Sequence, residues 1–200
     1  QYISGRNNTL SNDFELSNRG SIDALLSIFR PYCVLNCTGY VNHKFEQSVL
    51  DEHFKGTLNI VESCIEHGVS KYIGIGTSDE YGGTKSMYRF TENDNTNPRT
   101  LYAASKLMSY NYLLARASLK LDFIWIWPFL LYGENQAPNR ILPLAFRTLL
   151  RDEKLKVSSG LQQRDFLHVS DFVNAVELIL EKKIKNQIIN ICSGKNISIR

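Results

Sequence analysis

The chain has 200 residues, 43% of them hydrophobic and 22% charged, which suits one globular domain, or one domain with a small lobe, around a sizeable core. No apolar run approaches the ~18 residues of a membrane-crossing helix. A net charge of +3, spread without a dense Lys/Arg stripe, argues against nucleic acid as a partner.

The chain opens on a polar stretch, Gln1 to Asp13, with no sustained period, which predicts a loop; order is expected to begin near Phe14. Ser21 to Phe29 carries helical spacing and is stopped by Pro31, and Cys33 to Cys37 follows as a short strand. Ser48 to His67 repeats apolar groups at three- and four-residue intervals, with Gly68 as its stop, and Lys71 to Ile75 is the next strand. Thr100 to Leu119 predicts a helix, Asp122 to Leu131 one buried strand, and Pro138 to Arg151 a further helix. This alternation, with near-continuous apolar strands, predicts an α/β fold whose parallel sheet is covered on both faces and doubly wound. Ligands in such folds sit at the strand C-termini.

After Arg151 the segments shorten: Leu155 to Gly160, Arg164 to Val169, a helix from Ser170 to Lys182 and a strand from Gln187 to Cys192. They predict a small C-terminal lobe over 151–200, interleaved with the last sheet strands and set against a main domain over 1–150, with a cleft between for substrate. Both ends read as interrupted, since Gln1 is not an initiator methionine and Asn196 to Ile199 looks like the start of another element. A fragment is therefore expected. Cys33, Cys37, Cys64 and Cys192 lack both the paired framework of small secreted domains and the C-x-x-C spacing of metal sites, so a reducing cytoplasm and no bound metal are expected.

The chemistry concentrates in two segments. In Tyr102-Ala103-Ala104-Ser105-Lys106 the phenol and the ammonium stand one helical turn apart and share a face. A lysine cation within a few ångströms is expected to lower the phenol's pKa from about 10, so that Tyr102 exchanges a proton with a substrate hydroxyl. Upstream, Gly76-Thr77-Ser78-Asp79-Glu80-Tyr81-Gly82 leaves a predicted strand at its C-terminal end. There Thr77 offers a hydroxyl, and Asp79 and Glu80 offer carboxylates for acid–base work. Gly74-x-Gly76 is not a phosphate loop, because Asp79 stands at the third glycine position and would repel phosphate.

These two segments, the strand end Trp127-Pro128-Phe129-Leu130-Leu131-Tyr132-Gly133 and the stretch Gln163-Arg164-Asp165-Phe166-Leu167-His168-Val169-Ser170-Asp171 occur in one order. From about Phe14 onward that order resembles the extended short-chain dehydrogenase/reductases, in the NAD-dependent epimerase/dehydratase family that acts on nucleotide sugars. The resemblance implies a Rossmann-like sheet that binds NAD or NADP, with its first strand and Gly-rich loop expected before Gln1. It implies Thr77, Tyr102 and Lys106 as the catalytic triad, with Lys106 also bonding the nicotinamide ribose. Glu15 and Leu16 match a pair that touches adenine, Cys37, Thr38 and Gly39 match the strand end under the dinucleotide, and Pro128 and Phe129 match the turn beside the nicotinamide. Arg164 matches a residue near the substrate's diphosphate, with an ion pair to Asp165 or Asp171 as its alternative. The chain departs from the family pattern at His53, where asparagine is usual, at Trp127, where arginine is frequent, and at Leu130, where asparagine is frequent.

Three reactions share this scaffold: 4-epimerisation, 4,6-dehydration and 4-ketoreduction. The Thr77-Ser78-Asp79 run resembles that of the dehydratases, where Ser78 would face substrate and Asp79 would assist loss of water; Asp79 is one methylene shorter than the usual glutamate. Ser158 to Leu167 and Gly194 to Arg200 instead resemble CDP-paratose and CDP-abequose synthases, which reduce a 4-keto sugar, and ketoreduction is the expected reaction. The implied partner is a nucleotide-diphosphate sugar, and a homodimer through the helices at Ser48 to His67 and Thr100 to Leu119 fits the family pattern. A cofactor-binding or structural protein that keeps the fold without catalysis is the alternative class.

Overall fold

The computed structural model describes residues 16–39, 50–83, 88–117, 120–155, 159–182 and 184–199. Helix α1 spans Arg19–Phe29, with Asn18 accepting from the Ser21 N–H at 3.4 Å and Arg30, at φ 43°, closing it ahead of Pro31. There follow β1 (Cys33–Asn36), α2 (Gly56–Glu66), β2 (Lys71–Ile75), α3 (Leu101–Ala117), β3 (Asp122–Pro128) and β4 (Leu130–Tyr132). The remaining elements are α4 (Ile141–Leu150), β5 (Gln163–His168), α5 (Val169–Glu181), β6 (Gln187–Ile191) and β7 (Asn196–Ser198).

The main sheet has the order β1-β2-β3-β6, every pair parallel, with Ile75 opposite Ile126 and Pro128 opposite Ile191. Strand pleating sends alternate side chains to opposite faces. Tyr72, Phe123, Trp125 and Trp127 pack with Ile22, Leu26, Ile60, Val61 and Leu113 on one face, and Ile73, Ile124 and Ile126 pack with Val176 and Ile179 of α5 on the other. The expected parallel sheet of Rossmann type, covered on both faces, is the one observed. Trp125 and Trp127 are almost wholly enclosed, and each contributes about 5 kcal/mol of gross burial energy if roughly 200 Å² leaves water.

The structure corrects two element boundaries. The apolar run Asp122 to Leu131 is not one strand: it breaks at Phe129, and β4 leaves the main sheet to pair in parallel with β5, which pairs antiparallel with β7. Pro128 has no N–H to continue the ladder and is the mark of the break in a run otherwise apolar on both sides. Within the helix expected over Ser48 to His67, Asp51–Lys55 is a π-helical turn ahead of α2. The wider turn accommodates an extra residue, and His53 within it is buried at 1% exposure. Ser48 and Val49, the expected loop at Gln1 to Asp13 and Leu119 lie outside the described residues.

The second sheet is tied to the first by Asp165 of β5, whose Oδ1 accepts from both the N–H and the Oγ of Ser193 at 2.8 Å. Helices α2 and α3 are joined by Arg116, whose Nε and Nη2 donate to the two oxygens of Glu62 at 2.6 and 2.7 Å, with Tyr112 adding a third bond at 2.5 Å. This fork holds the Glu62 carboxyl at about 2, chiefly through the Arg116 hydrogen bonds.

Candidate active site

In a parallel sheet all strand C-termini face one edge, so the backbone leaving β1 at Cys37, the backbone leaving β2 at Gly76 and the turn after β3 at Phe129 lie along it. Helix α3 begins over this edge. Thr100 caps it, accepting from the Ala103 N–H at 3.1 Å, which fixes the first turn and with it Tyr102. The loop leading to Thr100 is anchored by the Asn97 N–H donating to the Glu80 carbonyl at 2.8 Å. That approach requires Gly82, which has φ 84° and where a Cβ would overlap the Asn97 carbonyl.

Thr77 leaves β2 in extended conformation and caps a single 3₁₀ turn, Ser78–Tyr81. Its Oγ accepts from the Asp79 N–H at 3.2 Å, and its own N–H donates to Glu80 Oε1 at 3.0 Å, a reciprocal capping box. The Thr77 hydroxyl also acts on the Tyr102 phenol, in the sense that favours the phenolate. Ser78 is half-buried and Asp79 exposed, while Glu80 is fully buried. Thr77, Tyr102 and Asp79 thus share one small region: the Asp79 charge acts directly on the Tyr102 phenol.

Lys106 is buried at 7% exposure, and its Nζ donates to the Ile75 carbonyl at 3.0 Å and the Thr38 carbonyl at 3.2 Å. It clasps the ends of β1 and β2 together. Burial depresses its pKa to about 8, partly offset by Glu80 and Cys37. An ammonium has three donors, and two carbonyls use two of them.

The expected lowering of the Tyr102 pKa is not what the structure shows. The phenol is raised, because burial dominates and Asp79 adds to it, while the Thr77 hydrogen bond and the Arg140 cation pull the other way. Lys106 spends its charge on backbone carbonyls rather than on the phenol.

Other expected residues are distributed more widely. Leu16 is buried in the core and its carbonyl accepts from Asn59 Nδ2 at 2.7 Å, while Glu15 lies outside the described residues. Cys37 is exposed; Thr38 is held by Asn36, whose Oδ1 accepts from its N–H at 3.0 Å and its hydroxyl at 2.6 Å. Pro128 and Phe129 are half-buried at the strand exit. Arg164 is exposed on β5 and donates to the Gln163 carbonyl at 2.8 Å, while Asp165 is engaged by Ser193; the guanidinium does not join the hydrogen-bonded group around Thr77.

Two residues join the site that sequence reasoning left without a role there, and a third takes a different role from the one expected. His53 packs edge-on to Tyr102, marked in the sequence only by its departure from the usual asparagine. Arg140, at the start of α4, projects its charge onto the phenol; its only sequence signal is a cation just ahead of a helix. Glu80, expected to offer a carboxylate for acid–base work, is instead enclosed beneath the β2 exit. Among the described residues no cluster of three His, Cys, Asp or Glu could hold a metal, and no helix is long and apolar enough to cross a membrane.

Comparison with known proteins bears on the family and the fold. Mouse dTDP-D-glucose 4,6-dehydratase is 30% identical over 146 residues, covering 72% of this chain and 41% of the mouse protein. The UDP-glucose 4-epimerase of Thermotoga maritima, crystallised with UDP-glucose, superposes with a TM-score of 0.86 at 22% identity, covering 94% of this chain and 63% of that one. The Bacillus anthracis dTDP-glucose 4,6-dehydratase, crystallised in complex with NAD, gives 0.84 at 24% identity, covering 93% and 59%. The chain therefore spans less than two thirds of the length of these proteins. The sequence pattern of the NAD dependent epimerase/dehydratase family matches residues 4–192, and the chain belongs to that family.

Proposed function

We propose that this chain carries the catalytic centre of an NAD- or NADP-dependent enzyme that exchanges hydride at C4 of the hexose in a nucleotide-diphosphate sugar, in the direction of 4-ketoreduction. The observation that carries this reading is the Tyr102 phenol, hydrogen-bonded with Thr77 and raised by burial, so that it is a proton donor at neutral pH. A bound nicotinamide dinucleotide would supply the hydride.

The chain's own residues supply the rest. Tyr102 gives its proton to the C4 oxygen as the carbonyl becomes an alcohol, and Thr77, fixed by the Asp79 N–H, orients the phenol and shares the substrate oxygen. Lys106 offers its third N–H to the cofactor's ribose while holding the two strand ends on which the cofactor would rest. The residues present fit the nicotinamide end: a Cβ on Gly39 would stand 3.0 Å from His53 Nε2 and 3.4 Å from Lys106 Nζ, so glycine keeps the strand-end backbone close to the ammonium. Arg140 adds positive charge for the substrate's diphosphate, and Arg164 is a second candidate from the neighbouring sheet. Residues 151–200 contribute the substrate side of the cleft.

Dehydration is the second reading, favoured by Asp79, whose side chain is exposed and whose charge acts on Tyr102. A homodimer through α2 and α3 belongs to the same proposal, supported by Met108 and Leu114 standing exposed on α3. So does a cytoplasmic setting, supported by four free cysteines.

The test is incubation of the full-length natural protein with nucleotide 4-keto and 4-hydroxy sugars, following absorbance of the reduced cofactor and substrate mass. Consumption of reduced cofactor with a 4-keto sugar supports reduction, and loss of one water from a 4-hydroxy sugar identifies dehydration. Inversion at C4, read by NMR of the recovered sugar, identifies epimerisation, and cofactor binding with none of these three changes on any sugar identifies the non-catalytic class and overturns the proposal.

A further inference from the structure

We infer that Glu80 is a positioning residue of this active site: its enclosed carboxylate fixes Thr77 through the backbone and is the counter-charge of the Lys106 ammonium. The inference rests on the proposed roles of Thr77 and Lys106, and deepens them.

Glu80 is 0% exposed, at the C-terminal edge of the sheet rather than in solvent. Its Oε1 accepts from the Thr77 N–H at 3.0 Å, so the residue whose hydroxyl bonds Tyr102 is itself held by this carboxylate. The chain makes room for it at Gly76, where any Cβ would overlap both Glu80 Oε1 and the indole nitrogen of Trp125. Among the described residues three buried polar atoms gather here without a hydrogen bond of ordinary geometry: Glu80 Oε2 and the Nε1 atoms of Trp125 and Trp127. One is an acceptor and two are donors, and a buried polar atom left unmatched is destabilising. Both indoles act on the carboxylate to favour its ionised form, as do the Thr77 N–H and the Lys106 charge.

The groups around Glu80 come from several elements. From α3 come Lys106, Tyr102 and Tyr110, from β3 the two indoles, from its own turn Thr77, Asp79 and Tyr81, and Cys37, just past β1, acts on Lys106. Burial works against both charges, pushing Glu80 up to about 7 and Lys106 down to about 8, and each partner opposes the other's shift. A plain capping residue needs no charge. Glutamine would cap Thr77 equally well, and this separates the inference from a purely structural role.

The test follows the Lys106 side chain by NMR, through its Cε and Nζ shifts, as pH is raised in wild type and in Glu80→Gln. The variant keeps the acceptor for the Thr77 N–H and removes the charge. The Lys106 midpoint is expected to fall by about one unit or more, with the Thr77 amide signal in place. An unchanged midpoint in a folded variant overturns the inference. If the variant does not fold, wild type alone decides: the Glu80 carboxyl carbon and Lys106 Cε must respond to each other's titration, and two independent single-step curves overturn the inference. These readouts need no turnover. Coupling in a protein that reduces no sugar refutes the proposed function alone, and turnover without coupling refutes this inference alone.

Discussion

The imidazole of His53 meets the Tyr102 ring edge-on, with centroids 5.1 Å apart and planes at 75°. Its Nδ1 lies 2.9 Å from Ser105 Oγ, which donates to the Tyr102 carbonyl at 2.8 Å, so one buried side chain braces both the ring and the backbone of the tyrosine. His53→Ala should destabilise the protein by about 2–4 kcal/mol in urea unfolding, through the cavity and the lost hydrogen bond. His53→Asn should recover part of that loss. An alanine variant as stable as wild type would show that the brace is energetically idle.

Removing the Tyr102 hydroxyl should separate chemistry from folding. Tyr102→Phe keeps the ring against His53 and should change stability by no more than about 1 kcal/mol. Turnover should fall by about 10²–10⁴-fold, the usual loss for an acid–base group. Hydride transfer at the wild-type rate would rule the phenol out.

Glu80 leads to a pH dependence of unusual sign. Its carboxyl is raised from 4.5 to about 7 in the folded protein, so between those values the native state holds a proton that the unfolded state has released. Stability from this group is full below pH 4.5 and is lost as pH rises through 7, on the order of 3 kcal/mol. Glu80→Gln should lose that slope. Chemical denaturation of both proteins at intervals from pH 4.5 to 7.5 measures it, and parallel curves would contradict the prediction.

Gly82 and Gly83 form a matched pair. Both have positive φ, 84° and 97°, but a Cβ on Gly82 would overlap the Asn97 carbonyl, whereas one on Gly83 meets nothing within 4 Å. Gly83→Ala should cost only the backbone strain, about 1–2 kcal/mol. Gly82→Ala should cost clearly more and dislodge the loop that leads to Thr100. Thermal unfolding distinguishes them, and equal losses would mean that the Asn97 contact does not constrain the turn.

Much of this protein is fixed by local pattern. The alternation of apolar strands with amphipathic helices sufficed for a parallel, doubly covered sheet, because residue periodicity and strand length reflect which faces are buried. The spacing of Tyr102 and Lys106 placed them on one helical face, and the ordered motifs pointed to the family that the sequence match bears out. Tertiary structure decided what depends on partners far along the chain. His53 reaches Tyr102 through a π-helical turn that apolar spacing does not reveal, and β3 parts from β4 inside a run that is apolar throughout. Lys106 binds two carbonyls instead of charging the phenol, and Glu80, expected to offer its carboxylate for acid–base work, is enclosed with two tryptophans beneath the β2 exit. Desolvation is set by everything packed around a group, so the order of residues names the ionisable side chains while only the packed fold sets their charge.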